Sequence, residues 1–130
     1  MSNIKLNKIF KTACIASDHA GFKLKEEIKN YLIDNNFSIF DIGPYNDRSV
    51  DYPDYAKKLG NRIKLKKSNV GILVCGSGTG MAISANKIKT IRAAVCYNLK
   101  STRLSRQHNN ANIISIGSRL TKKKIIFKIS

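Results

Sequence analysis

The sequence lacks acidic residues after Asp54. All eight Asp and Glu residues, and seven of the 24 Lys and Arg residues, lie within residues 1–54, whereas residues 55–130 contain 17 basic residues and no acid. A carboxylate from this later part of the chain therefore cannot serve as a general base. If a catalytic loop lies there, its base must be a residue of another type.

The net charge of +16 raises the question of nucleic-acid binding. The basic residues are scattered along presumed helices and are not interleaved with aromatic residues. Eighteen of the 24 are Lys, and a compositional drift towards Lys, Ile and Asn explains the charge as well as selection for a polyanion does. We therefore do not expect nucleic acid to be a partner.

Long apolar runs are also missing. No segment approaches the roughly 20 apolar residues that span a bilayer, and Met1 to Lys11 lacks the uninterrupted apolar core of a secretion signal. We therefore expect a cytoplasmic protein without a membrane partner. A chain of 130 residues with 42% hydrophobic residues is typical of one domain. We predict a single domain over residues 1–130, with residues 1–10 as a flexible N-terminal extension.

Cysteine and histidine are scarce, with three Cys and two His. Neither occurs at metal-ligand spacing and the cysteines are odd in number, so we expect free thiols and no metal site. Cys14 and Cys96 fall inside apolar runs and are predicted to be small buried side chains of the core. Cys75 is the cysteine that remains for loop chemistry.

The most distinctive segment runs from Asn69 to Asn86. An apolar run typical of a buried strand is followed by Gly76, Gly78 and Gly80, and helix-compatible apolar spacing then resumes. This pattern predicts a strand, a glycine loop and a helix start. Cys75 would lie beside backbone N–H groups and the positive end of the helix dipole, which stabilise a thiolate or a bound anion.

Two common nucleotide-binding motifs do not fit this loop. The third glycine of a dinucleotide fingerprint is missing, and so is the acid expected about 20 residues later. A Walker-type loop is excluded because no Gly-Lys-Ser/Thr occurs. A small anion-binding loop with a thiol at its edge remains.

Strands and helices alternate along the whole chain. This order predicts an α/β fold, a Rossmann-like three-layer α/β/α sandwich with about five parallel strands and a short C-terminal helix. The predicted strands are 11–17, 37–42, 70–74, 91–97 and 112–116, and the predicted helices include 22–36, 53–66, 99–107 and 120–129.

Ligands of such sheets bind beyond the carboxyl ends of the strands. His108 and Asn109 follow the fourth helix, at the opposite end of the sheet, and would need a second subunit to reach the same pocket. A Cys–His pair is also compatible with a thiol hydrolase in which Cys75 is the nucleophile. The polar residues expected at the ligand end are Asp18, His19, Asp41, Tyr52, Cys75, Ser77, Tyr97, Asn98, Ser118 and Arg119.

Six blocks of the sequence, in order, resemble those of type B ribose-5-phosphate isomerases over roughly residues 12–120. Several blocks are shared with galactose-6-phosphate isomerase subunits, so a six-carbon sugar phosphate is an alternative substrate. The blocks are Ser17-Asp18-His19-Ala20-Gly21-Phe22, Asp51-Tyr52-Pro53, Cys75-Gly76-Ser77-Gly78, Ala85-Asn86-Lys87, Ile91-Arg92-Ala93 and Ser105-Arg106-Gln107-His108-Asn109.

The resemblance implies a sugar-phosphate substrate and an aldose–ketose isomerase of the pentose phosphate pathway. It would interconvert ribose 5-phosphate and ribulose 5-phosphate through a cis-enediol, without metal or cofactor. It would act as a homodimer, or a pair of dimers, with active sites shared between subunits. The alternatives are an isomerase of galactose 6-phosphate or allose 6-phosphate, and a catalytically impaired basic binding protein on the same fold.

The resemblance also implies a role for each matching residue. Cys75 would move the proton between C1 and C2, Ser77 would serve the O1/O2 side, and His108, assisted by Asp18, would open the furanose ring. The N–H groups of the glycine loop would hold the enediolate, Tyr52 and Asn109 would orient hydroxyls, and His19 and Arg119 would contact phosphate. The implied substrate-binding residues are His19, Tyr52, Gly76, Gly78, Gly80, Asn109 and Arg119.

One departure from the family concerns the C-terminal end. Relatives usually continue past the fifth strand through a longer helix into a tail whose arginines hold the phosphate, whereas this sequence ends at Ser130. We expect a shortened last helix. Either the lysines of residues 122–128 replace those arginines in part, or phosphate binding and turnover are weakened.

Overall fold

The computed structural model describes residues 12–46 and 51–119. Within these ranges all strands belong to one parallel sheet, in the spatial order β2-β1-β3-β5-β4. The strands are β1 Thr12–Ser17, β2 Ser38–Gly43, β3 Val70–Cys75, β4 Ala93–Val95 and β5 Ile113–Gly117. The helices between them are α1 Phe22–Asp34, α2 Tyr52–Lys64, α3 Thr79–Asn86 and α4 Leu99–Asn109.

This architecture confirms the predicted α/β fold with five parallel strands. Strand β3 lies at the centre of the sheet between β1 and β5, so the glycine loop that follows it opens at the middle of the carboxyl edge. The predicted N-terminal extension and the short C-terminal helix lie outside the described residues.

Strand β4 is shorter than the apolar run 91–97 predicts. It is an edge strand of three residues that pairs with β5 alone. The side-chain amide of Asn86 bonds the backbone of Ala93, the first residue of β4, as a neighbouring strand would. It donates to the Ala93 carbonyl at 2.9 Å and accepts from the Ala93 N–H at 2.7 Å. Ile91 and Cys96 lie outside the strand but are buried. The apolar run 91–97 therefore indicates which residues are buried, not how long the strand is.

Alternate residues of the central strands fill two cores on opposite faces of the sheet. Leu73 of β3 packs with residues of α2 and α3 on one face. Its neighbours Ile72 and Val74 pack on the other face with residues of α1. Cys14 and Cys96 are buried free thiols, as predicted, and burial raises the pKa of Cys14 to about 11.

A buried ion pair ties α1 to the end of β2. The side chain of Lys25 has no exposed surface, and its Nζ lies 2.8 Å from both carboxylate oxygens of Asp41 and from the Pro44 carbonyl. The Nζ of Lys29 lies 2.9 Å from the same carboxylate. Because Pro44 follows β2, these bonds fix the direction in which the chain leaves the sheet towards α2.

The acid dependence of stability should follow from this pair. Burial alone would raise the pKa of Asp41, but the hydrogen bonds and charges of Lys25 and Lys29 outweigh it and hold that pKa below its usual range. Such a carboxyl contributes stability above its unfolded-state pKa, about 3.9. That contribution is lost as the pH falls from there through the folded-state pKa.

We therefore predict that Asp41→Asn lowers the free energy of unfolding at pH 7 by about 3 kcal/mol, because the buried ammonium loses its counter-charge. The difference from the wild type should shrink as the pH falls below about 4. Urea unfolding from pH 7 to pH 3 measures it. Asp34→Asn, at an exposed carboxylate at the end of α1, is the control. A difference that stays constant across this range would contradict the assignment.

Candidate active site

A cleft of about 340 Å³ opens beyond the carboxyl ends of β1 and β3. It lies at the edge of the sheet where the sequence places the ligand. Most of the predicted site residues line it together, whereas Gly78, His108 and Asn109 do not. Its lining consists of Asp18, His19, Ala20, Tyr52, Cys75, Gly76, Ser77, Gly80, Met81 and Arg119.

The glycine loop brings backbone N–H groups to the Cys75 thiol. The N–H of Gly78 donates a hydrogen bond of 2.9 Å to Cys75 Sγ, and the N–H of Thr79 donates to Ser77 Oγ at 3.2 Å. Gly78 has a φ of +83°, which glycine adopts without steric cost. Because helix α3 begins at the next residue, the sulfur lies near the positive end of its dipole. Backbone donors and a helix N-terminus thus surround the sulfur atom.

The end of β5 closes on this loop at backbone distance. The N–H of Ser118 donates to the Cys75 carbonyl at 2.7 Å, and the N–H of Arg119 donates to the Gly76 carbonyl at 3.0 Å. A Cβ on Gly117 would lie 2.6 Å from the Ser77 carbonyl oxygen, so a side chain there would push the loop away. The guanidinium of Arg119 lies over Gly76, at the edge of the cleft.

Asp18 and His19 enter the cleft from the end of β1. Asp18 is held by its own turn, in which Oδ1 accepts the Gly21 N–H at 2.8 Å and its backbone N–H donates to the Val74 carbonyl at 3.1 Å. A Cβ on Gly21 would lie 2.3 Å from that carbonyl oxygen. Only glycine therefore lets α1 begin this close to β3. His19 is exposed beside it.

Tyr52 forms another wall of the cleft. It is the first residue of α2, and its ring lies against Gly80, where a Cβ would come within 3.1 Å of a ring carbon. The missing side chain of Gly80 thus makes room for the ring. This places a phenol hydroxyl beside the glycine loop.

His108 and Asn109 lie at the other end of the sheet. The Asn109 carbonyl accepts a hydrogen bond of 2.5 Å from Arg92 Nε, and Arg92 directly precedes β4. Both residues are exposed at the end of α4. The five residues of β5 span about 16 Å, so His108 cannot reach the cleft of its own chain. The element order predicts this position.

Some polar residues expected at the ligand end have structural partners instead. The prediction for Asp41 is wrong, because its carboxylate is bound by Lys25 and Lys29. Asn98 caps α4, and its side-chain oxygen accepts the Ser101 N–H at 2.7 Å. Met81 also lines the cleft, which the sequence did not predict. Its position in the apolar pattern of a helix is typical of a core residue.

Two negative findings hold for residues 12–46 and 51–119. No group of three His, Cys, Asp or Glu side chains is placed to hold a metal ion. No helix there is long and apolar enough to cross a membrane.

Comparison with known proteins gives consistent matches. The family model described as Ribose/Galactose Isomerase matches residues 13–130. A Rickettsia conorii protein, provisionally named a sugar phosphate isomerase, is 46% identical over 115 residues, which are 88% of this chain and 80% of the relative.

Solved structures agree with the sequence matches. A ribose 5-phosphate isomerase from Thermotoga maritima is 48% identical with a TM-score of 0.89, over 91% of this chain and 81% of that one. Ribose-5-phosphate isomerase B from Mycoplasma genitalium, solved with bound ribulose-5-phosphate, is 39% identical with a TM-score of 0.84, over 91% and 79%. The chain therefore belongs to the ribose/galactose isomerase family and is a sugar-phosphate isomerase.

Proposed function

We propose that this protein interconverts ribose 5-phosphate and ribulose 5-phosphate, as a cytoplasmic enzyme of the pentose phosphate pathway. The observation that carries the proposal is the Cys75 thiol, which accepts the Gly78 N–H at 2.9 Å and, although only 4% exposed, lines the cleft of about 340 Å³. The Mycoplasma genitalium relative, 39% identical, holds ribulose-5-phosphate in its crystal structure. That ligand is the ketose of the proposed pair.

The reaction needs a base that moves one proton between adjacent carbons. In our proposal the Cys75 thiolate removes the proton from C2 of the open-chain aldose and returns it to C1 of the enediol. The hydroxyl of Ser77, which the Thr79 N–H holds at 3.2 Å, serves the proton exchange at O1 and O2. No carboxylate of the later part of the chain competes for this role, because residues 55–130 contain none.

Negative charge on the enediolate would be stabilised by the loop backbone. The N–H groups of Gly76 and Ser77 make no hydrogen bond with another described residue, and the first N–H groups of a helix have no intrahelical acceptor. These donors and the Gly80 N–H lie along one side of the cleft. Preorganised donors of this kind commonly supply a large part of the rate enhancement in enolisation.

The phosphate group would bind at the cationic edge of the cleft. His19 and Arg119 both line it, and a guanidinium can bind two phosphate oxygens at once. Tyr52 would hydrogen-bond a sugar hydroxyl. The negative substrate would then be anchored away from the thiolate.

Ring opening would require a second copy of the chain. His108 and Asn109 lie at the amino end of the sheet and cannot turn back into their own cleft. We propose a homodimer in which His108 of a second copy opens the furanose, assisted by Asp18, while Asn109 of that copy binds a hydroxyl. Each subunit would thus contribute to two sites, and two dimers could form a tetramer.

Cys75→Ala should lower kcat by about 10²- to 10⁴-fold because the base is lost. Initial rates of ribulose 5-phosphate formation measure it. Cys96→Ala removes a buried thiol outside the cleft and should retain activity. A wild type no faster than Cys75→Ala would refute the catalytic role and favour an impaired binding protein.

Mixing two inactive variants tests the shared site. Cys75→Ala and His108→Asn subunits, unfolded together and refolded at equal ratio, should regain about a quarter of the wild-type rate, since about half of the dimers are mixed and each mixed dimer has one complete site. Each variant refolded alone is the control. No recovery in the mixture, with mixed dimers shown by native mass spectrometry, would refute the shared site.

Six-carbon substrates are the second candidate, because the matching family model includes galactose isomerases. We expect kcat/KM to be higher for ribose 5-phosphate than for galactose 6-phosphate or allose 6-phosphate, since an added carbon in a fitted pocket costs about tenfold or more. Parallel assays of the three substrates decide this. A preference for either six-carbon sugar would assign the second candidate.

A further inference from the structure

A buried hydroxyl lies directly beneath the glycine loop. Ser115, the middle residue of β5, has no exposed surface, and its Oγ donates a hydrogen bond of 2.5 Å to the carbonyl oxygen of Gly78. A hydroxyl is costly to bury without a partner. This one is satisfied by the loop alone, 37 residues away in sequence.

The loop needs such a restraint. Gly78 lacks the side chain that would limit its backbone, so its φ of +83° is one of several accessible conformations. It precedes α3 as the N-cap residue and makes no side-chain cap. Besides Ser115, its carbonyl is approached by the Ala82 N–H at 3.4 Å, a long hydrogen bond.

Ser115 differs from the other restraints on this loop in being a side chain. The carbonyls of Cys75 and Gly76 accept from the backbone N–H groups of Ser118 and Arg119, which nearly any residue would supply. The Gly78 carbonyl instead depends on which side chain β5 carries at position 115. A substitution there can therefore loosen one peptide of the loop while the backbone bonds remain.

That peptide controls both reactive side chains of the loop. Fixing the Gly78 carbonyl orients the Gly78–Thr79 peptide, whose N–H donates to Ser77 Oγ. It also restricts rotation within Gly78, whose own N–H donates to Cys75 Sγ. One hydroxyl below the sheet edge thus holds the donors to the thiol and to the serine.

We propose that Ser115 is a positioning residue of the active site, which keeps the Gly78 N–H on the Cys75 thiolate and the Thr79 N–H on the Ser77 hydroxyl. It contacts neither substrate nor reacting atoms. The inference rests on the proposed role of the glycine loop, but it concerns the state of the thiol and can be tested without turnover.

The test is the rate of alkylation of Cys75 by iodoacetamide from pH 6 to pH 9, with the modified residue identified by peptide mass spectrometry. Ser115→Ala should slow alkylation at pH 7 by roughly fivefold, the effect of losing one hydrogen bond to the thiolate. The variant leaves unchanged the other ionisable groups that line the cleft with Cys75, namely Asp18, His19, Tyr52 and Arg119.

The matched control is Ser105→Ala. Ser105 is also a buried serine whose Oγ donates to a backbone carbonyl, that of Thr102 at 2.7 Å, but it lies in α4 and not under the loop. It should alkylate at the wild-type rate. Ser115→Thr keeps the hydroxyl and should restore most of the rate.

Turnover supplies a second readout. Ser115→Ala should lower kcat with little change in KM, since no phosphate contact is altered. If wild-type protein fails to isomerise ribose 5-phosphate while Ser115→Ala still slows alkylation, the proposed function fails and this inference stands.

A folded Ser115→Ala that alkylates at Cys75 like the wild type would overturn the inference, whatever the activity. If that variant does not fold, Ser115→Cys replaces it. A thiol is a weak donor, so Cys75 should then react more slowly than in the wild type. An unchanged rate would overturn the inference in the same way.

Discussion

The site depends on how closely the chain approaches itself around the end of β3. On one side, α1 begins so near β3 that a Cβ on Gly21 would lie 2.3 Å from the Val74 carbonyl oxygen. On the other side, a Cβ on Gly117 would lie 2.6 Å from the carbonyl oxygen of Ser77. With no side chain between them, the ends of three adjacent strands share one set of backbone hydrogen bonds. Asp18, Cys75 and Arg119 are brought to one cleft because these contacts are backbone to backbone.

The uneven distribution of acidic residues along the sequence affects the electrostatics of the cleft. The acids lie before residue 55, and the partly buried Asp41 is engaged by Lys25 and Lys29. Asp18 therefore stands in a cleft that otherwise contains His19, Arg119 and the start of a helix. Such surroundings attract a phosphate dianion. A carboxylate base in the loop would oppose this attraction.

The fold was predictable from the sequence because buried parallel strands consist of short runs of apolar residues. In this chain, segments with the apolar spacing of helices separate those runs. The glycine loop was predictable as a loop, yet its glycines serve different purposes. Gly78 supplies a positive φ, whereas Gly80 leaves room for the Tyr52 ring. Spacing alone cannot distinguish a conformational requirement from a steric one. The sequence also could not show that Asp41 is paired with Lys25, 16 residues away. A polar residue near the end of a strand gives the same pattern whether it contacts a substrate or a buried lysine.

The position of His108 follows from topology. A helix that leaves the carboxyl end of one parallel strand must return the chain to the amino end before the next strand begins. A residue at the end of α4 is thus carried away from its own cleft by the rule that makes the sheet parallel. In the proposed homodimer, this exposed histidine would enter the cleft of the other copy. The proposed dimer would then make the outward end of α4 part of an active site, so that assembly and ring opening depend on the same surface.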